Sequence, residues 1–367
     1  MLLLLGSCNR SEYDPSDGVN TEMTLFGEEI YVPIGQVGPI TVKMLLNSNT
    51  NIQTLLNELL KEESDGTFYI ESKDKIYSMN AFRVALDIPD PTQPYHWEIG
   101  SRTGSVAPTA ALLRMFNIGF ANQHLTISAL NPVMKSLTLN SDIWVRCRDN
   151  SYVETYSKEF KLEDYTLRSS YSESTLASLD IPAEVMDLVT SVELNNLTLD
   201  LPANVKDWIH SSDDSAFTFS TQLKANVALS EKFTFPYKLR LSKLNAALGK
   251  FRLHKCQLAF DLENTLPLDA TINSIKLLDE QGNEMEDIVF SSDVKILGGK
   301  LGAPTVTPVV LQVEALTGTI PDIHEVLVDF KFDYSPTAGT AVLSSAMGLS
   351  VKSASVKLFG GITLFGK

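Results

Sequence analysis

The chain has 367 residues, 44% hydrophobic and 20% charged, with a formal net charge of −15 from 45 acids and 30 bases. That length and composition allow two or three folded units with real cores. The acidic balance repels nucleic acid and anionic membrane surfaces, so neither is expected as an electrostatic partner.

The first stretch, Leu2-Leu3-Leu4-Leu5-Gly6-Ser7-Cys8, is an apolar run that ends at a cysteine. It resembles the lipobox of bacterial lipoproteins, departing from it in having no Lys or Arg before Cys8, where a secretory signal carries a basic start. The resemblance implies that residues 1–8 are a lipoprotein signal, that cleavage precedes Cys8, and that the acylated Cys8 is a membrane anchor. Residues 9–22 include Glu12, Asp14, Pro15, Ser16, Asp17 and Gly18. Such a stretch buries too little apolar area to offset chain entropy, which predicts a flexible acidic tether. Asn9-Arg10-Ser11-Glu12 loosely resembles the surface-export signal of some outer-membrane lipoproteins. Together with the strand pattern below, these features resemble uncharacterised β-sandwich envelope lipoproteins of Gram-negative, Bacteroidetes-like bacteria. The resemblance implies a cell-envelope location, on the outer membrane.

Downstream, Met23 to Val32 reads as a strand, and Pro33 to Pro39 is dense in the residues that make turns. Leu45, Leu46, Ile52, Leu55, Leu56, Leu59 and Leu60 recur at helical spacing, which predicts two short helices broken near residues 47–51. Thr67 to Ile70 and Ile76 to Ile88 read as strands, and Pro89 to Gly104 as a loop region. From about Phe116 the signal is period two, as in Leu125-Thr126-Ile127, Phe217-Thr218-Phe219 and Leu239-Arg240-Leu241. That pattern fits sheets with one buried and one wet face.

A Ser-apolar-polar-apolar motif recurs at residues 136–139, 191–194, 274–277 and 355–358, with a degenerate copy at 324–328. Its irregular spacing argues against a solenoid. Ile181-Pro182 and Ile320-Pro321 each predict a single helical turn before the next strand. From residue 250 the chain predicts about eight strands, the size of an immunoglobulin-like sandwich. The fold class expected is mostly β: antiparallel β-sandwich modules with a small mixed α/β N-terminal segment. The expected boundaries are 23–115 for the mixed segment, 116–249 for a β-rich module and 250–367 for the Ig-like sandwich.

Catalytic signatures are sparse. His96, His124, His210, His254 and His324 form no HExxH-type spacing, no Gly-x-Ser-x-Gly elbow occurs, and Gly298 to Gly302 lacks the ending of a phosphate loop. Asp279 to Asp287 has the wrong Gly position for an EF-type calcium loop and reads as a hairpin turn. No metal and no cofactor is expected. Cys147 and Cys256 read as two buried thiols, a disulfide between them being the alternative. Tyr95, Trp97 and Glu98 are the candidate ligand-binding residues, because flat aromatics beside a carboxylate suit a sugar. The competing reading makes Tyr95 and Trp97 plugs of an inter-domain seam. The function expected is a non-catalytic binding or assembly module for a glycan or an envelope protein, attached to the membrane through Cys8. The alternatives are a carbohydrate-active hydrolase and a lipid carrier with an apolar cavity.

Overall fold

The computed structural model describes residues 22–25, 29–33, 40–47, 59–106, 118–148, 154–169, 173–209, 216–229, 233–242, 255–286, 288–291, 294–316, 325–339, 341–359 and 362–365. In chain order the early elements are β1 (Glu22–Leu25), β2 (Glu29–Pro33), β3 (Ile40–Thr41), α1 (Val42–Asn47), β4 (Leu60–Glu62), β5 (Phe68–Asn80), α2 (Ala81–Asp87), β6 (Tyr95–Ser105) and β7 (Ile118–Leu130). Then come β8 (Leu137–Arg148), β9 (Glu154–Leu167), β10 (Glu173–Asp180), β11 (Val189–Leu201), β12 (Ala216–Leu229), β13 (Thr234–Ser242), β14 (Lys255–Asn264) and β15 (Leu268–Leu278). The last are β16 (Ile288–Ser291), β17 (Lys295–Ile296), β18 (Thr305–Ala315), β19 (Glu325–Tyr334), β20 (Gly348–Phe359) and β21 (Ile362–Phe365). The protein is mostly β, as the period-two pattern requires.

The strands form two sandwiches with one topology. In the first, β5 to β12 occupy positions one to eight in chain order. One sheet reads β10-β7-β12-β5 with β4 added at its edge, and the other reads β6-β11-β8-β9. By position these are 6-3-8-1 and 2-7-4-5. In the second, positions one to eight are β2, β13, β14, β15, β17, β18, β19 and β20. Its sheets read β18-β14-β20-β2, with β16 at the edge, and β13-β19-β15-β17. The order is again 6-3-8-1 and 2-7-4-5, and every pairing in the sandwiches is antiparallel. Eight strands in this double Greek-key order make a jelly roll.

Position one of the second sandwich, β2, lies before the whole first sandwich in the chain, and position two, β13, lies after it. The first jelly roll is therefore inserted between the first two strands of the second. We call them the inserted unit and the host unit. Two expectations are corrected. The boundary at residue 115 falls inside the inserted unit, because β5 pairs with β12 and β6 with β11. The unit from residue 250 is not immunoglobulin-like, because one of its sheets takes β2 from the far side of the inserted unit. The host unit also receives β3 on β20, and β1 pairs with β21.

The recurrent motif has a topological meaning. Its copies at 136–139 and 274–277 fall on position four of each unit, β8 and β15. The copy at 191–194 and the described part of the degenerate one, 325–328, fall on position seven, β11 and β19. These two strands are neighbours in each unit. For these four copies the irregular spacing along the sequence is an alternation between two strand positions. The copy at 355–358 lies on β20.

Each unit carries the same buried corner. Asn131 and Asn264 end the third strand of their units, and both side chains are fully buried. Asn131 Oδ1 accepts from Val133 N at 2.9 Å, while its Nδ2 donates to Lys135 O at 3.0 Å and Arg168 O at 2.8 Å. Asn264 Oδ1 accepts from Leu266 N at 2.9 Å, while its Nδ2 donates to Leu268 O at 2.9 Å and Leu297 O at 3.0 Å. In both cases one amide ties residues i+2 and i+4 to the chain just past strand five. A buried amide is tolerated because every one of these groups finds its partner.

The remaining local expectations divide. Residues 42–47 are helical, as the spacing of Leu45 and Leu46 predicts, and the second expected helix falls mostly on residues 48–58, outside the described set. Ile76 to Ile88 is not one strand: β5 ends at Asn80, whose side chain caps α2 by accepting from Arg83 N at 3.0 Å. Ala81, Val84, Ala85 and Ile88 are buried at helical spacing, and with the Asn cap that pattern outweighs the β alternation. Ile181-Pro182 opens a hydrogen-bonded turn, Val185 N to Pro182 O at 2.9 Å, rather than a helix. Residue 320 lies outside the described set, as do Cys8 and the tether to residue 21.

Three segments of the inserted unit change phase. In β7 the large buried apolar side chains are Ile118 and Phe120, then Leu125 and Ile127. The switch coincides with a register shift against β12 and with a left-handed Asn122, φ 48°. Asn196, φ 51°, marks the same change in β11 between Leu194 and Leu197. Asp164, φ 54°, does so in β9. Asn and Asp bear this conformation at low cost, and the bulge resets which face points inward.

The two units are stitched by the segment just before β20. Val342 bridges Ala228 at the end of β12, and Ser344 bridges Thr67 at the start of β5. Phe68 N donates to Leu343 O at 2.9 Å, and Leu343 N donates to Val227 O at 2.8 Å. Residues 342–344 thus continue the ladder of the inserted unit's sheet where β5 and β12 separate.

Candidate functional site

The β4–β5 hairpin is closed by Gly66 N to Glu63 O and Glu63 N to Thr67 O, both 2.9 Å. Gly66 has φ 84°, and a Cβ there would stand 2.6 Å from Ser345 Oγ, so the position needs glycine. The hairpin is held to the host unit by Ser345 N to Gly66 O at 2.9 Å and Ser345 Oγ to Glu62 Oε1 at 2.5 Å.

This hairpin walls an open polar cavity of about 420 Å³ on the outer face of the inserted unit. Glu63, Ser64, Asp65 and Thr67 form one wall; Asn122, His124, Lys224 and Asn226 form the other. Strand alternation explains the second wall. Leu223, Ala225 and Val227 point into the core, so Lys224 and Asn226 point out. The bulge at Asn122 lets Asn122 and His124 join them.

The charges in the cavity are mostly satisfied. Lys224 is hydrogen-bonded to Glu63, which raises its pKa, and its ammonium lies 4.6 Å from the Tyr69 ring centre. Asp65 accepts from Thr67 N at 2.9 Å, and this backbone bond holds its carboxyl below the usual range. Beside the cavity, Glu71 accepts from Lys61 at 2.6 Å and Gln222 at 2.8 Å, which lowers its pKa.

His124 extends the site towards β10. Its Nδ1 is 2.7 Å from Asp180 Oδ1 and its Nε2 is 3.1 Å from Ser178 Oγ. The order Asp-His-Ser is that of a nucleophile relay. Here, however, Asp180 is 91% exposed on an open sheet face. Water screens the pair, and an oxyanion formed there would meet solvent rather than fixed donors. Among the described residues no group of three His, Cys, Asp or Glu side chains is arranged to hold a metal ion.

Tyr95, Trp97 and Glu98 lie on a strand, β6, and not in a loop. Tyr95 and Trp97 are half-buried and Glu98 is exposed on the opposite face. Trp97 packs 6.0 Å from Phe217, centre to centre, across the two sheets of the inserted unit. The aromatics plug the seam between sheets of one unit, and Glu98 does not share their surface. Outside them, His96 Nδ1 meets Asp200 Oδ1 at 2.6 Å across the β6–β11 pair. Trp208 is half-buried, donating Nε1 to Ala203 O at 3.2 Å. His210, His254 and His324 lie outside the described residues. Cys147 and Cys256 are both buried, in different units, and no disulfide joins them.

Sequence reasoning missed the cavity because its residues come from three distant stretches. One signal was present: Asn122-Gln123-His124 interrupts the alternation of β7, the mark of a bulge.

No family model matches the chain, and no curated protein matches it. Among solved structures it is similar to a secreted protein from Parabacteroides distasonis, at 13% identity over 91% of this chain and 100% of that one, with a TM-score of 0.42. It is also similar to the VP2 subviral particle of infectious bursal disease virus, at 13% identity over 87% and 78%, TM-score 0.19. A third is the PBSX exported protein XepA, at 9% identity over 77% and 86%, TM-score 0.15. At these scores the fold rests on the strand order alone.

Proposed function

We propose that this chain is an anchored envelope protein, acting as a non-catalytic binding or assembly module for a glycan or a protein partner. The observation that supports it is the nesting of the units. The strands nearest Cys8 in the chain, β1 and β2, pair with β21 and β20 and not with the inserted unit, so an anchor at Cys8 attaches the host unit first. The inserted unit then connects to the tether only by way of host-unit strands. Among the described residues no helix is long and apolar enough to cross a membrane. Attachment through the lipobox-like Cys8, on the outer membrane, fits that finding.

The cavity also weighs between the alternatives. A lipid carrier needs an apolar cavity, and this one is lined by carboxylates, amides and an ammonium. The space between the sheets of the inserted unit is filled by Phe120, Phe217 and Phe219, each 1% exposed. A hydrolase needs fixed transition-state donors, and the Ser178–His124–Asp180 set lies in open solvent.

Metabolic labelling with a clickable fatty acid tests the anchor. Label is expected in the wild type and lost in Cys8→Ala; equal labelling ends the lipoprotein reading. Protease shaving of intact cells then reports which side of the outer membrane the inserted unit faces.

A further inference from the structure

We infer that the cavity between the β4–β5 hairpin and the β7–β12 face binds a neutral polyhydroxylated ligand, the terminal sugar residue of a glycan. This deepens the proposed binding role and rests on it. Three observations carry it.

The first is the chemistry of the walls. Each sugar hydroxyl is both donor and acceptor, so it needs acceptors and donors side by side. Asp65 offers a carboxylate that its backbone bond from Thr67 keeps ionised, and Asn122 and Asn226 offer amide groups of both kinds. Lys224 is neutralised by Glu63, and remains a donor towards the cavity. Against phosphate or another anion stand the two carboxylates, Glu63 and Asp65. Against an apolar ligand stands the lining itself, since sites for such ligands are predominantly hydrophobic.

The second is shape. A cavity of about 420 Å³ is within the ordinary range for small-molecule sites. It is open at one side, which suits the end of a chain rather than an enclosed metabolite.

The third is rigidity. The hairpin wall is pinned by Ser345 and Gly66, and the opposite wall stands on a central pair of the sheet, β7 with β12. Asn122 owes its outward position to a left-handed bulge. A site of weak individual hydrogen bonds gains from walls that lose little freedom on binding.

The test uses the full chain carrying Cys8→Ala, with the Asn122→Gly, Asn226→Ala and Ser78→Ala variants. Gly retains the backbone conformation of residue 122. Ser78 lies on β5, outside the cavity. A glycan array is followed by calorimetric titration of the best neutral oligosaccharide retained. Binding of a neutral glycan is expected, weakened more than 10-fold by Asn122→Gly and by Asn226→Ala and unchanged by Ser78→Ala, with equal Tm values. Retention of no neutral glycan, preference for anionic glycans, or binding indifferent to both Asn variants overturns the inference. The broader reading fails separately: a negative array with an envelope protein recovered by crosslinking leaves a binding module standing without its sugar.

Discussion

The inserted and host units have the same strand order and the same buried asparagine, yet they differ in what they add. The inserted unit has a long fifth strand, β9, and a fully hydrogen-bonded Gln123 that ties down the chain before β11. Gln123 Nε2 donates to Val185 O at 3.1 Å and Asp187 O at 2.7 Å, and its Oε1 accepts from Val189 N at 3.1 Å. In the host unit the fifth strand shrinks to Lys295–Ile296, and an ion pair takes over nearby: Asp269 accepts from Lys295 at 2.8 Å and from Gly298 N at 2.8 Å. The jelly-roll order therefore depends on the central strands and the Asn corner. The edges differ between the units, and the cavity takes one wall from such an edge, the β4–β5 hairpin, and the other from the central β7–β12 pair.

The strongest challenge to this comparison is removal of the corners. Asn131→Ala and Asn264→Ala each leave three backbone groups without their side-chain partner, at least one of them buried, and each is expected to cost about 3 kcal/mol in urea titrations. The sites lie in different units, so the double variant is expected to be additive. A cost under about 1 kcal/mol at one site would show that the corners are not equivalent.

A smaller effect sharpens the same point in the host unit alone. A Cβ on Gly299 would stand 2.1 Å from Asn264 O, so Gly299→Ala is expected to destabilise by roughly 1–3 kcal/mol. Acid titration separates the units next. Burial opposes ionisation of Asp269, but the bonds from Lys295 and Gly298 N outweigh it and lower its pKa. A lowered pKa contributes stability that is present above the unfolded value, about 3.9, and is lost as pH falls through the folded value. Acid unfolding followed by circular dichroism is expected to show this loss in the wild type and a flatter profile in Asp269→Asn.

The smallest effect is chemical. Burial pushes the Cys256 thiol up to about 11, and Cys147 is fully buried. In a Cys8→Ala protein at about pH 8, just below the ordinary thiol pKa, a disulfide reagent is expected to find no thiol until denaturant is added. Rapid native reaction at one cysteine would mark its unit as the looser.

Much of the fold was legible in the sequence. The alternation of Leu125, Ile127 and Phe217 declares sheets, while the recurring Ser-apolar-polar-apolar motif was visible without its place: four copies fall on strands four and seven and one on strand eight. The nesting was not legible, because pairing of β2 with β20 leaves no local trace across so long a separation. The helix at Ala81–Asp87 was legible in its spacing and lost to a competing alternation. The cavity was hidden for the reason the nesting was: its walls meet only after the hairpin at Gly66, the bulge at Asn122 and the outward face of β12 are in place.

The nesting also imposes a schedule on synthesis. The edge of β2 leaves the ribosome before any residue of the inserted unit, and its partner β20 follows only after both units' other strands. The inserted unit is contiguous in sequence and can close while β2 waits. The host unit can close only afterwards, which makes it the slow, non-local step and the one during which an unpaired strand edge is exposed to misassembly. The partner of β1, β21, is the last of the described strands to be made.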